Sequence, residues 1–130
     1  MRINRGREAD VASEARTDSF TGRVWADAVL QGAPGVLVND VFFEPGARTY
    51  WHRHAQGQVL LVMQGRGRVQ TREGDGGWVA PGDVVSFEPG EEHWHGAGGE
   101  TYLLHRAISL GETEWLEEVA EEDYRAAVAS

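Results

Sequence analysis

A chain of 130 residues, 41% apolar and 25% charged, has the size and balance of one globular domain with a sizeable core. It contains no cysteine and no lysine, which excludes disulfides, thiolate nucleophiles, cysteine-ligated metal clusters, Schiff-base catalysis and a phosphate-loop lysine. Its 12 positive charges are all arginine and stand against 21 Asp and Glu; the formal charge of −9 repels phosphate backbones and anionic lipid, so neither nucleic acid nor membrane is expected as a partner.

Residues 1–19 are polar, with Arg2, Arg5 and Arg7 followed by Glu8, Asp10 and Glu14, and show no sustained period; they read as a flexible or swapped arm. Met1 to Asp10 lacks the apolar core of a secretory leader, and the longest apolar run, Val59 to Met63, is too short to span a bilayer. A cytoplasmic location is the expectation.

Residues 20–111 read as a run of short strands punctuated by Gly and Pro, with 16 of the chain's 17 glycines. Phe20 to Leu30 is the first, and Gln31-Gly32-Ala33-Pro34-Gly35 turns the chain. Val36 to Glu44 alternates, placing Asn39, Val41 and Phe43 inward and Asp40, Phe42 and Glu44 outward. Strands are then expected over Arg48 to His54, Gln58 to Met63, Arg66 to Arg72, Trp78 to Ala80, Val84 to Phe87, His93 to His95 and Thr101 to Leu110. Short strands at this spacing make an all-β sandwich or barrel. Residues 112–130 form an acidic segment, and Trp115, Leu116, Val119 and Tyr124 anchor a short terminal helix within it.

All five histidines fall between positions 52 and 105: His52, His54, His93, His95 and His105. Residues two apart on a strand share a face, so His52 and His54 can supply two ligands to one metal ion, and His93-Trp94-His95 repeats the pattern. A turn at Gln56-Gly57 brings Gln58 back towards the same pocket. Three imidazoles and an amide oxygen, from His52, His54, His93 and Gln58, would hold one divalent transition metal per chain. Imidazole admits Mn, Fe, Ni, Cu or Zn; the neutral oxygen donor tilts the choice towards Mn or Fe, with Ni and Zn open.

The run from Gly46 through His52, His54 and Gln58 to Gly65 resembles the first cupin motif, G-x5-H-x-H-x3,4-E-x6-G, with Gln58 where the family has glutamate. Gly82, Gly90 and His93 resemble the second, G-x5-P-x-G-x2-H-x3-N, with Glu88 at the first proline and Gly96-Ala97 near the asparagine. The resemblance implies a cupin double-stranded β-barrel, or jelly roll. Phe20-Thr21-Gly22, Phe43 to Thr49, Gln58, Pro81 to Val85, His93 to Ala97, Trp115 and Tyr124 are similar, more narrowly, to small bacterial cupins with hydroxynitrile lyase activity. That likeness implies manganese, cleavage of cyanohydrins to an aldehyde and cyanide, and a homo-oligomer, dimer or tetramer.

Four neutral ligands leave a dication its full charge, which suits Lewis-acid chemistry on a small hydroxylated or carbonyl substrate and disfavours oxidation of the ion. His105, inward with Leu103, Ala107 and Ser109, is a candidate general base or acid, and His95 is a second. Asn39, Val41 and Tyr50 are expected to shape the substrate pocket, while Arg48 is expected to make a structural ion pair. A cupin dioxygenase and a non-catalytic small-molecule-binding cupin are the alternative readings.

Overall fold

The computed structural model describes residues 1–130. In chain order the strands are β1 (Glu14–Arg16), β2 (Phe20–Thr21), β3 (Val24–Leu30), β4 (Val36–Phe43), β5 (Arg48–Thr49), β6 (His52–His54), β7 (Gln58–Gly65), β8 (Gly67–Thr71), β9 (Gly76–Val79), β10 (Val84–Phe87), β11 (His93–Ala97), β12 (Leu103–Leu110) and β13 (Thr113–Trp115), and helix α1 (Glu121–Val128) closes the chain. One sheet has the order β1-β3-β4-β12-β7-β10; the other runs β13-β6-β11-β5-β2, with β8 on β11 and β9 on β8. The strand pairings are antiparallel, and the two sheets curl into a barrel. No helix is long and apolar enough to cross a membrane.

Alternation decides what the barrel encloses. On β12 the buried positions are Leu103, His105, Ala107 and Ser109, as period 2 requires, and on β4 Val41 and Phe43 are buried. Val24, Val41, Phe43, Val62, Val79 and Leu103 belong to one apolar cluster, and Leu60, Phe87 and Ala107 form a smaller one. Asp40, expected outward, is buried as well, because Arg106 directly across the strand pair covers it with two hydrogen bonds of 2.7 and 2.9 Å.

Four further features differ from the sequence-based expectations, the first being that the strand expected over Phe20 to Leu30 is split at Gly22-Arg23, with β2 paired to β5 in one sheet and β3 to β4 in the other. Residues 14–16 of the expected arm form β1, which pairs with the edge of β3. The expected strand over Arg48 to His54 is broken at Tyr50-Trp51, where the backbone leaves the sheet for the two tails: Tyr50 N–H donates to the Ser19 carbonyl, and Trp51 N–H to that of Glu117. The acidic C-terminal segment contributes a strand, β13, laid along β6 with Thr113 opposite His54 and Trp115 opposite His52.

The tail is tied down by specific contacts. Trp51, Trp94, Val119 and Tyr124 make a separate apolar cluster between the second sheet and the tail. The Tyr124 hydroxyl donates to the Ala97 carbonyl, and the Arg48 guanidinium lies 4.2 Å from the Tyr124 ring centre while pairing with Glu121 at 2.8 Å. Arg48 thus makes the structural ion pair expected of it, and helix α1 follows as expected at the end of the chain.

Candidate metal centre

Five histidines meet inside the barrel, none more than 4% exposed. His52 and His54 come from β6, His93 and His95 from β11, and His105 from β12; His52 and His93 are direct cross-strand partners. Gln58 opens β7 between Phe87 of β10 and Ser109 of β12. Gly57 makes this turn possible, having φ 95° and packing so closely that a Cβ there would lie 2.7 Å from the Phe87 carbonyl oxygen.

The rings are oriented by their outer nitrogens. His52 Nδ1–H donates to the Tyr50 carbonyl at 2.9 Å, and His93 Nδ1–H to that of Glu91 at 2.8 Å. A carbonyl only accepts, so both imidazoles carry their proton on Nδ1 and present the Nε2 lone pair inward. The Phe87 ring stacks on His93 with centroids 3.5 Å apart. His54 Nδ1 lies 2.8 Å from the Thr113 hydroxyl, and its Nε2 is buried without a hydrogen-bond partner.

Burial pushes His54, His93 and His105 from the ordinary 6.5 down to about 4. His52 and His95 are driven well below the ordinary value, first by burial and then by the neighbouring His93 and His105 respectively. All five are therefore neutral at neutral pH, the form a metal ligand must have.

Ring nitrogens of His52, His93 and His95 lie within 4.8 Å of one another, a group that could hold a metal ion. The structure thus brings two of the expected ligands, His52 and His93, together with His95 in its tightest histidine group. Gln58 is in contact as well: its Oε1 is 3.0 Å from His93 Nε2, while its Nε2 donates to the Ser109 hydroxyl at 3.0 Å. So oriented, an amide oxygen faces an imidazole lone pair with no proton between them. Such a pair of acceptors, beside the partnerless Nε2 of His54, fits a cation shared between neutral donors.

His95 also belongs to a second arrangement. Its Nδ1 is 3.0 Å from His105 Nε2, leaving His95 Nε2 and His105 Nδ1 buried without partners. Phe43 packs against the His105 ring at 5.1 Å, and His95 is held from behind by its backbone N–H, which donates to the Thr49 hydroxyl.

A cavity of about 660 Å³ opens onto this cluster. Asn39 and Val41 line it, together with His52, His54, Gln58 and His95. Tyr50 does not: the interruption between β5 and β6 shifts the alternation by one residue, so that Thr49 lines the cavity in its place. Thr113 and Trp115 also line it and were not singled out as site residues. Their strand pairs with one some sixty residues earlier in the chain, and the acidic local sequence carries no period that would announce it.

Residues 39–105 match the cupin domain family, and the chain belongs to that family. It is 42% identical over 123 residues to the (R)-mandelonitrile lyase of Granulicella tundricola, covering 90% of this chain and 94% of that one. Among solved structures, a cupin-like protein of Thermotoga maritima superposes with a TM-score of 0.80 at 39% identity, covering 98% of this chain and 95% of that chain. The polyketide cyclase RemF of Streptomyces resistomycificus shares the fold, with a TM-score of 0.73 at 18% identity over 95% of this chain and 92% of that chain.

Proposed function

We propose that this cupin is a lyase that uses one divalent transition metal, manganese in the first instance, to cleave cyanohydrins into an aldehyde and hydrogen cyanide. The observation that carries the reading is the buried cluster of uncharged donors, with Gln58 Oε1 turned towards His93 Nε2, in a relative of a mandelonitrile lyase. His52, His54, Gln58 and His93 are assigned as the ligands; His95, the third member of the tight histidine group, is assigned to the proton because its Nδ1 meets a second imidazole, His105, which can take and return one, where the other rings meet a carbonyl or a hydroxyl. A bound dication supplies electrophilic stabilisation of the alkoxide that develops on the substrate oxygen, undiminished by any anionic ligand.

The residues of the chain do the rest. With the shared proton on His95 Nδ1, its Nε2 has a lone pair on the cavity side and takes the hydroxyl proton of the cyanohydrin. The carbon–carbon bond to the nitrile breaks, its electron pair leaves with cyanide, and the oxygen closes the carbonyl. His95 hands its Nδ1 proton to His105 Nε2 across 3.0 Å, and the pair returns a proton to cyanide, which departs as hydrogen cyanide. Asn39 and Val41 are assigned to the substrate-binding wall. The test is cyanide release from mandelonitrile by metal-stripped protein before and after manganese is restored: release that follows the metal supports the reading, and no release from the loaded protein refutes it.

The reading extends to self-association. On the outer face of β4, β12, β7 and β10, Val38, Phe42, Leu61, Met63, Val84 and Ile108 surround the single Asp40–Arg106 ion pair. On a chain of formal charge −9, an apolar face that neutralises its own charges is suited to meet a second copy of itself. Light scattering that gives the mass of one chain would overturn this.

A further inference from the structure

The histidines of β6 flank an arginine that points the other way. Arg53 lies between His52 and His54 and opposite Glu114 of β13, so this cross-strand pair faces away from the cavity that Thr113 and Trp115 line. Arg53 Nη2 donates to both carboxylate oxygens of Glu114, at 2.8 and 3.2 Å. Its Nη1 lies 3.7 Å from Glu92, the residue before His93, and Glu92 in turn accepts from Arg72 Nε at 3.1 Å. Arg72 then holds Glu117 through both terminal nitrogens, at 3.0 and 2.9 Å, with its guanidinium 4.0 Å over the Trp51 ring. Glu114-Arg53-Glu92-Arg72-Glu117 is thus a chain of alternating charge. Its two ends belong to the tail, and its inner members adjoin β6, β8 and β11.

β13 is an edge strand of three residues, all exposed, and it pairs on one side only. A short exposed edge of this kind is the part of a sheet that opens most readily. It nevertheless reaches the metal centre. The Thr113 hydroxyl, 2.8 Å from Nδ1, orients His54, whose Nε2 is buried without a partner. His54 is also the assigned histidine ligand that stands outside the tight group of His52, His93 and His95. Lifting β13 would free that ring and remove one wall of the cavity at the same time.

We propose that Arg53 and Arg72 are positioning residues of the metal centre: by clasping Glu114 and Glu117 they hold β13 on β6 and so slow the escape of the ion. In this, only the ligand role of His54 rests on the proposed function. An isolated exposed ion pair shifts a local equilibrium by about fivefold at most. Here two double contacts, bridged through Glu92, act on one strand, which sets the expected effect of removing both at about tenfold. Salt should act in the same direction, because the screening length falls from about 10 Å at about 0.1 M to about 3 Å at about 1 M.

The experiment follows manganese loss from the loaded full chain into excess EDTA, by elemental analysis of desalted samples over time, at low and high salt. Backbone hydrogen exchange over residues 113–117 is read by mass spectrometry on the same samples. Glu114→Gln/Glu117→Gln, which removes both charges and keeps the shapes, is expected to speed release about tenfold at low salt and to abolish its salt dependence. Exchange should rise in this segment and not in β7 or β12. Arg53→Lys/Arg72→Lys keeps the charges and is expected to preserve most of the retention that Arg53→Gln/Arg72→Gln loses. Glu121→Gln breaks the tail's ion pair with Arg48 and is expected to leave release unchanged. Release at the wild-type rate from Glu114→Gln/Glu117→Gln, or equally fast release from Glu121→Gln, overturns the positioning role and leaves the lyase reading intact. If no cyanide is freed from mandelonitrile yet manganese release follows the clasp, the lyase reading fails and the positioning role stands. A wild type that retains no manganese overturns both.

Discussion

Gln58 Oε1 lies 3.0 Å from His93 Nε2, and His93 has already committed its Nδ1 proton to the Glu91 carbonyl. Two acceptors held face to face in a buried site are mutually unfavourable unless something positive joins them. In this orientation the amide nitrogen donates to the Ser109 hydroxyl, the buried partner that satisfies it on that side. Ser109→Ala is therefore expected to free the amide to turn over and donate to His93 Nε2. Metal affinity should fall about tenfold or more, as it does when partners that orient ligands are lost, and isothermal titration with manganese measures it.

The division of labour between His54 and His95 is open to direct measurement. His54→Ala is expected to lower bound metal to well below one ion per chain. His95→Ala is expected to keep the metal and lose turnover by about 10²–10⁴-fold, the usual contribution of a positioned acid or base. The reverse pattern would make His95 the ligand, as its place in the tight histidine group allows.

His105 faces His95 and not the cavity, and the proposed reaction has it take and return the proton that His95 handles. His105→Gln, which keeps a hydrogen bond but cannot accept a positive charge, is expected to lower kcat far more than it raises KM. Elemental analysis should find the metal content unchanged. Wild-type kcat in this variant would remove His105 from the reaction.

Thr113 positions His54 through the 2.8 Å contact between Oγ1 and Nδ1. For His54 to ligate through Nε2, the Nδ1 proton must be donated to this hydroxyl. Thr113→Val should lower manganese affinity about 10–100-fold, whereas Thr113→Ser should keep it close to wild type. Equal affinities in Thr113→Val and wild type would show the contact to be incidental.

The buried histidines also set the acid stability of the metal-free protein. His54, His93 and His105 are held at about 4 in the fold, chiefly by burial, against 6.5 when exposed. Between these values the unfolded chain binds more protons than the folded one, so stability is fully present above pH 6.5 and is lost as pH falls towards 4, levelling off below. Urea midpoints of the stripped protein should follow that course, and a midpoint independent of pH across the window would contradict it.

How far the sequence could be read depended on whether an element's neighbours were local. His52, Gln58 and His93 were legible because strand parity and the turn at Gly57 act over a few residues. The inward face of β12, with His105 and Ser109, followed from simple alternation. Tyr50 was misplaced because the strand breaks where both tails hydrogen-bond to residues 50 and 51, a contact no local pattern encodes. Thr113 and Trp115 escaped for the same reason: within an acidic stretch, only the pairing of β13 with β6 brings them to the histidines.

Whether this donor set holds a divalent ion is decided by elemental analysis of untagged protein stripped and then reconstituted with manganese, beside a His52→Ala/His93→Ala control. One manganese per chain is expected in the wild type and none in the control. Failure of the folded wild-type protein to retain stoichiometric metal, or equal retention by the control, would contradict it.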